Sequence, residues 1–403
     1  MGQSSKIAQM KKPLLSIVIP TKNRYKYLKN LLSALVAETT QEFEIVIQDN
    51  SDDNRSFEHY IVDLDDDRVR YNHTAGWLSV IDNCDLGLER ARGEYVCMLG
   101  DDDGIILESS ILLVEYMKKH DIHAANVNKI SYTWPDTQHA VWKDALSGTI
   151  RHQPFTYDIT TLDAQSELEI VLRQGGAFGL GSMPRVYHAF VSKAILDMLK
   201  EETGTYFPGP SPDMANAVGL TRFIDKYIYA SIPTVISGHC IKSTGGAGGQ
   251  KKHHGKIENI AHLPKDTGER WGSKIPYFWS GPTIYAESAR RALEATGRVD
   301  SLNYRNLYAV CLIYERQYAN QVLEVIKTNS RYSSLLKTIS LLPRLFAIVL
   351  RRGSNFMSNR KSYSAKNESV VKANSIAESI RICQELLGDS KWEMTQTKEV
   401  IGR

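Results

Sequence analysis

Cysteine is sparse in this chain of 403 residues: the five, Cys84, Cys97, Cys240, Cys311 and Cys383, are scattered with no Cys-x-x-Cys spacing. That argues against a zinc ribbon or a disulfide scaffold and suits a reducing compartment. A charge excess of one sign is also lacking. Lys and Arg number 49 against 46 Asp and Glu, a net charge of +3, too balanced for a protein that lives on nucleic-acid backbones. No apolar run reaches the ~20 residues that a bilayer span needs. The best candidate, Thr338 to Leu350, is interrupted by Pro343 and Arg344. The stretch before Pro13 has no apolar segment of signal-peptide type, so the expected location is cytoplasmic. What remains is 42% hydrophobic and 24% charged, the composition of a chain with a packed core rather than a disordered one.

From Leu14 to Gly104, short apolar β-rich runs alternate with helical periodicity. LSIVIP (15–20), FEIVIQDN (43–50), VRYNH (69–73) and EYVCMLG (94–100) read as strands, and Leu28, Leu31, Leu32 and Leu35 recur on one helical face between the first two. Ile- and Val-rich strands separated by helices imply a parallel α/β sheet covered on both faces, whose ligands sit beyond the carboxyl ends of the strands. Polar residues collect at those ends. The region 105–240 is less regular, with strands expected over 184–192 and 227–237, a helix over 193–204 and another launched at Asp213. Helices are expected over 285–296, 301–327, 332–352 and 369–387.

LGDDDG (99–104) puts three carboxylates on a turn directly after a buried strand. Such a concentration of like charge is costly unless a cation offsets it, and a hard divalent ion would do so. The acidic run DLDDD (63–67), with no buried strand before it, reads as a solvated turn.

The strings LLSIVIPTKNR, FEIVIQDNSDD and ARGEYVCMLGDDD, in this order, resemble the nucleotide-sugar half of family 2 glycosyltransferases. The resemblance covers residues 14 to about 240 and is strongest to 104. It implies a GT-A fold, a Rossmann-like mostly parallel sheet with helices on both faces, here followed by a helical C-terminal region. It divides the chain into a tail (1–13), a GT-A domain (14–280; nucleotide half 14–104, acceptor half 105–280) and a helical region (281–403). It implies Pro20, Thr21, Asn23, Arg24, Asp49, Ser51 and Asp102 at the nucleotide of a donor sugar, UDP most often. It places Asp101, Asp103 and His239 at a Mn²⁺ or Mg²⁺ ion. The acceptor it implies is a hydroxyl of a glycan or lipid-linked saccharide, without nucleic acid.

An inverting transfer needs one general base to take the acceptor hydroxyl's proton. The family places an Asp at a helix start, often as Glu-Asp, and PSPDMANAVGL offers Asp213 there with Pro212 in place of the acid. Ser211, Pro212 and Asp213 equally make a good helix start without catalysis. The segment 244–256, rich in Gly with Lys251, Lys252, His253 and His254, reads either as a lid over the diphosphate or as a surface loop. Between 331 and 361 there are seven basic residues and no acid, interleaved with apolar ones. That pattern suits an anionic membrane surface, or a helix packed internally with its basic side to solvent. Two other functions fit the class: a sugar nucleotidyltransferase, disfavoured because PTKNR has no glycine, and a non-catalytic nucleotide-sugar-binding partner of a polysaccharide assembly.

Overall fold

The computed structural model describes residues 12–137, 146–243, 254–329, 344, 369–388 and 395–399. The elements are β1 (Leu15–Thr21), α1 (Tyr25–Val36), β2 (Phe43–Asp49), α2 (Arg55–Leu64), β3 (Val69–His73), α3 (Val80–Glu89), β4 (Tyr95–Met98), β5 (Gly104–Ile105), α4 (Leu107–Lys119), β6 (Ala124–Thr133), β7 (Thr149–His152), β8 (Asp158–Asp163) and α5 (Ala164–Arg173). There follow β9 (Ala189–Ser192), α6 (Lys193–Thr203), α7 (Pro212–Leu220), β10 (Lys226–His239), β11 (His254–Gly255), β12 (Trp279–Ser280), α8 (Gly281–Ala295), α9 (Tyr304–Tyr314), α10 (Ala319–Thr328), β13 (Ser369–Lys372), α11 (Ile376–Leu387) and β14 (Thr395–Glu399).

The main sheet runs β14-β8-β10-β6-β9-β4-β1-β2-β3, with β5 beside β10, β7 beside β6 and β13 beside β7. β3, β2, β1 and β4 are parallel. β1, β2 and β4 are short apolar runs because both their faces are covered, while β3 at the edge is more polar and half-buried. Ile17 and Ile19 enter a core with Leu28, Leu31 and Leu32 of α1. Val18 enters the opposite core with Cys84 and Leu88 of α3. Register pairs Thr21 with Asp49, so the polar residues after β1 and β2 leave the sheet side by side. Beyond β4 the sheet is mixed, because β9 runs antiparallel to both β4 and β6.

The strand expected from 184 starts only at Ala189, since His188 takes a left-handed φ of 58° and breaks the extended run. The helix expected over 301–327 is two, α9 and α10, separated by a 3-10 turn at Arg316–Tyr318. The helix expected over 369–387 begins at Ile376. Its first residues, SVVK, form β13 against β7, as their adjacent β-branched pair favours. α11 buries Ile376, Ile380 and Cys383 in the core shared with α1 and β1. The helix expected over 332–352, the basic stretch 331–361 and most of the 244–256 loop lie outside the described residues. Among the described residues no helix is long and apolar enough to cross a membrane.

Candidate active site

The three carboxylates after β4 point in different directions, and each is held differently. Asp101 reaches back to β1: Thr21 Oγ1 donates to its Oδ2 at 2.6 Å, and Arg24 meets its two oxygens at 3.0 and 2.9 Å. Burial pushes Asp101 up to about 7, with Arg24 pulling the other way and Asp102 adding to the push. Asp103 faces β9 and β10. It accepts from Gly100 N–H at 2.7 Å, Tyr187 O–H at 3.1 Å and Gly238 N–H at 2.8 Å, and His188 Nε2 lies 2.6 Å from its Oδ2. Although burial opposes it, His188 and these donors hold Asp103 below the ordinary carboxylate range. Asp102 is held least, with Cys240 N–H at 3.2 Å and Arg24 at 3.6 Å. Burial and the adjacent Asp103 raise its pKa.

The turn closes because of one glycine. A Cβ at Gly238 would stand 1.7 Å from the Asp102 carbonyl oxygen, so only glycine lets β10 pass this close.

The residues after β1 and β2 form a second cluster. Asn23, at φ 57°, donates its N–H to Ser51 Oγ at 2.7 Å. Asp49 has no exposed surface. Its carboxylate accepts from the Tyr25 and Tyr71 hydroxyls, both at 2.7 Å, and from Ser51 N–H at 2.8 Å. Pro20 ends the strand beside Gln48.

Asp213 stands apart from both clusters. It is the second residue of α7, after Pro212, and among the described residues its carboxylate accepts no hydrogen bond. The helix-start reading is half met: Pro is at the first position, but the Ser211 side chain makes no cap. Burial pushes the Asp213 carboxyl up, and His188, Arg185 and Lys129 offset part of that. Asp85 of α3 fixes the loop entering α7, accepting from Thr205 Oγ1 at 2.5 Å and Tyr206 N–H at 2.8 Å.

The structure therefore brings Thr21, Arg24, Asp101, Asp102 and Asp103 into one cluster, Asn23, Asp49 and Ser51 into another, and Asp213 within the field of Asp103. Among the described residues the His239 ring makes no hydrogen bond or ion pair with the carboxylates. Its neighbours Gly238 and Cys240 donate to them, while its ring Nδ1 lies 3.3 Å from the Tyr132 carbonyl oxygen. Sequence reasoning missed His188, and the signal for it, a His in the middle of an apparent strand, is faint.

Residues 16–166 match the family model of glycosyl transferase family 2. That stretch is similar to the family over its first strands and the aspartate turn. Over 100 residues, 23% of this chain and 31% of the other, it is 33% identical to the GalNAc(5)-diNAcBac-PP-undecaprenol beta-1,3-glucosyltransferase of Campylobacter jejuni. Over 127 residues, 30% of this chain and 41% of the other, it is 29% identical to glycosyltransferase GlyG of Streptococcus pneumoniae. The matches thus span less than half the length of either curated relative. Among solved structures, S. aureus TarS 1-349 in complex with UDP-GlcNAc aligns with 78% of this chain and 80% of that one, at 15% identity and a TM-score of 0.41.

Among the described residues, no three His, Cys, Asp or Glu side chains are arranged to hold a metal by themselves. The donor set still fits a hard divalent ion of the Mg²⁺ class, which takes one or two carboxylates and completes its shell with substrate phosphates. Asp102 is the carboxylate with oxygens to give. Asp101 and Asp103 already face short protein contacts.

Proposed function

We propose that the chain is an inverting glycosyltransferase that moves a sugar from a nucleotide donor, a UDP-sugar, to a hydroxyl of a glycan or lipid-linked saccharide in surface polysaccharide synthesis. The observation that carries this reading is the Asp213 carboxylate, which among the described residues accepts no hydrogen bond and lies within the field of the buried Asp103. Asp213 accepts the proton of the acceptor hydroxyl as its oxygen attacks C1 of the sugar, and a raised pKa brings a carboxylate closer to the range in which a base works near neutral pH. Thr21, Asn23, Arg24 and Ser51 shape the nucleotide pocket at the ends of β1 and β2, with Pro20 closing β1 beside it. Asp102 would hold a Mn²⁺ or Mg²⁺ ion with the donor diphosphate. Bound there, the ion would supply charge stabilisation to the leaving nucleoside diphosphate. Asp101 and Asp103 keep that turn in shape. The 331–361 stretch would rest on an anionic membrane face near a lipid-linked acceptor.

Asp213→Asn keeps the size of the side chain but cannot take a proton. Turnover of a UDP-sugar with Mn²⁺ is expected to fall by ~10²-fold or more while UDP affinity by titration stays within twofold. Turnover at the wild-type rate, or a loss that merely follows a fall in thermal stability, sinks the assignment.

A further inference from the structure

Two cations near Asp213 make no ion pair with it or with any other carboxylate among the described residues. Among the described residues Lys129 makes no ion pair or hydrogen bond, and the hydrogen bond of the Arg185 side chain goes to a neutral acceptor, the Gly181 carbonyl oxygen at 3.2 Å. Both belong to the wall around Asp213. Ile130 and Tyr132 of β6 enter the core beneath α11, so Lys129 and Ser131 face the other side of the sheet. Arg185 lies in the segment between α7 and Asp103: the next residue, Val186, donates its N–H to Asn216 Oδ1 on α7 at 2.9 Å, and His188 touches Asp103. Lys129, Arg185 and Asp213 are within one another's electrostatic reach. Arg151 extends the row, since it pairs with Ser131 in register and donates from Nη2 to Ser131 Oγ at 3.1 Å. Its buried Nε has no partner among the described residues.

Mutually repelling cations beside one carboxylate are unfavourable until an anion joins them. The donor diphosphate does not match in position. β6 is separated from β1 by β9 and β4, about 14 Å at ~4.8 Å per strand, and the nucleotide pocket lies at the ends of β1 and β2. We propose that Lys129 and Arg185, with Arg151 beside them, hold an anionic substituent, phosphate or carboxylate, of the acceptor saccharide. This rests on the transferase reading above, with Asp213 facing the acceptor.

The test is isothermal titration of the full chain, first with UDP and Mn²⁺, then with glucose 6-phosphate, glucuronate and glucose. One or both anionic sugars are expected to bind at least ~10-fold more tightly than glucose, and whichever wins identifies the substituent. Lys129→Gln and Arg185→Gln are each expected to weaken that anion by ~10-fold or more, the usual loss for a hydrogen bond to a charged group, with UDP within twofold of wild type. Lys129 is exposed, so Lys129→Gln decides the question even where Arg185→Gln fails to fold. Equal binding of glucose overturns the proposal, and so does a UDP affinity that falls in step with the anion, which would assign the cations to the diphosphate. A wild type that binds no UDP counts against the transferase reading instead, while titration of the sugars without nucleotide still reads the subsite.

Discussion

The two sides of the candidate site treat charge in opposite ways. On the β1–β4 side almost every polar group is answered by another: Asp101 by Arg24 and Thr21, Asp49 by two tyrosines and a backbone N–H, Asp103 by a histidine and three further donors. On the β6–α7 side, among the described residues, Asp213 and Lys129 have no hydrogen-bond partner, and the Arg185 side chain meets the Gly181 carbonyl oxygen. A saturated buried group braces its surroundings. An open one in a cleft is held ready for something that arrives from solution, because leaving it so costs stability that folding alone would not retain. On the proposed reading, the contrast separates residues that shape the site from residues that would meet substrate.

The sharpest way to break this contrast is to unsaturate the braced side. His188→Ala removes the ring that lies against buried Asp103, and breaking such a pair costs ~3–5 kcal/mol. Urea unfolding should register that loss. A midpoint unchanged from wild type would mean that Asp103 does not depend on its partners. Gly238→Ala comes next, since its methyl group would overlap the Asp102 carbonyl and β10 would have to move, at ~3 kcal/mol. Loss of Mn²⁺-dependent UDP binding alongside the drop in stability is the expected pair of readings.

Asp49→Asn sharpens the comparison at smaller cost. An amide cannot accept all three donors as the carboxylate does, so ~1–3 kcal/mol of stability should go. If Asp49 instead reads the base, the preference for UDP over CDP should vanish with stability intact, and titration of both nucleotides against the variant separates the two outcomes. The smallest effect concerns Asp85, which burial pushes up to about 6. A raised pKa means that the folded state prefers the protonated form, so its contribution is full below about 4 and is lost as pH rises towards 6. The melting temperature of wild type relative to Asp85→Asn should therefore decline across that window. A flat difference would show that the loop into α7 does not sense the charge.

Much of the braced side could be read from sequence because it is local. An apolar strand followed at once by PTKNR, DNSDD or GDDDG places those residues at strand ends without knowledge of anything distant. The open side could not be read in this way. Asn126 to Thr133 does not alternate throughout, since two polar residues separate Val127 from Ile130, and the pleat is offset there: Ala125 and Val127 share a core with Ile130 and Tyr132. The face that Lys129 occupies therefore does not follow from counting by twos. His188 acts through a left-handed backbone, a conformation that few non-glycine residues adopt and that an apolar run does not announce. Asp103 was legible as a carboxylate with a task, but the four partners that saturate it come from a preceding glycine, β10 and the segment before β9, which only the fold unites.

Gly104, next to the aspartate turn, lies against Ile376, whose side chain would be 2.9 Å from a Cβ there, and Gln384 reaches Glu38 at 2.8 Å across 346 residues. The helix that seals the floor of the site is thus made long after the strands it covers. During synthesis, at ~5–20 residues per second, the sheet would wait many seconds with an apolar face uncovered, a window in which chaperones or aggregation compete with folding. Contacts of such separation also slow folding through the entropy of closing the loop. A nascent chain halted before residue 376 is accordingly expected to display nearly all the residues of the candidate site and yet lack the lasting protease resistance of the finished protein.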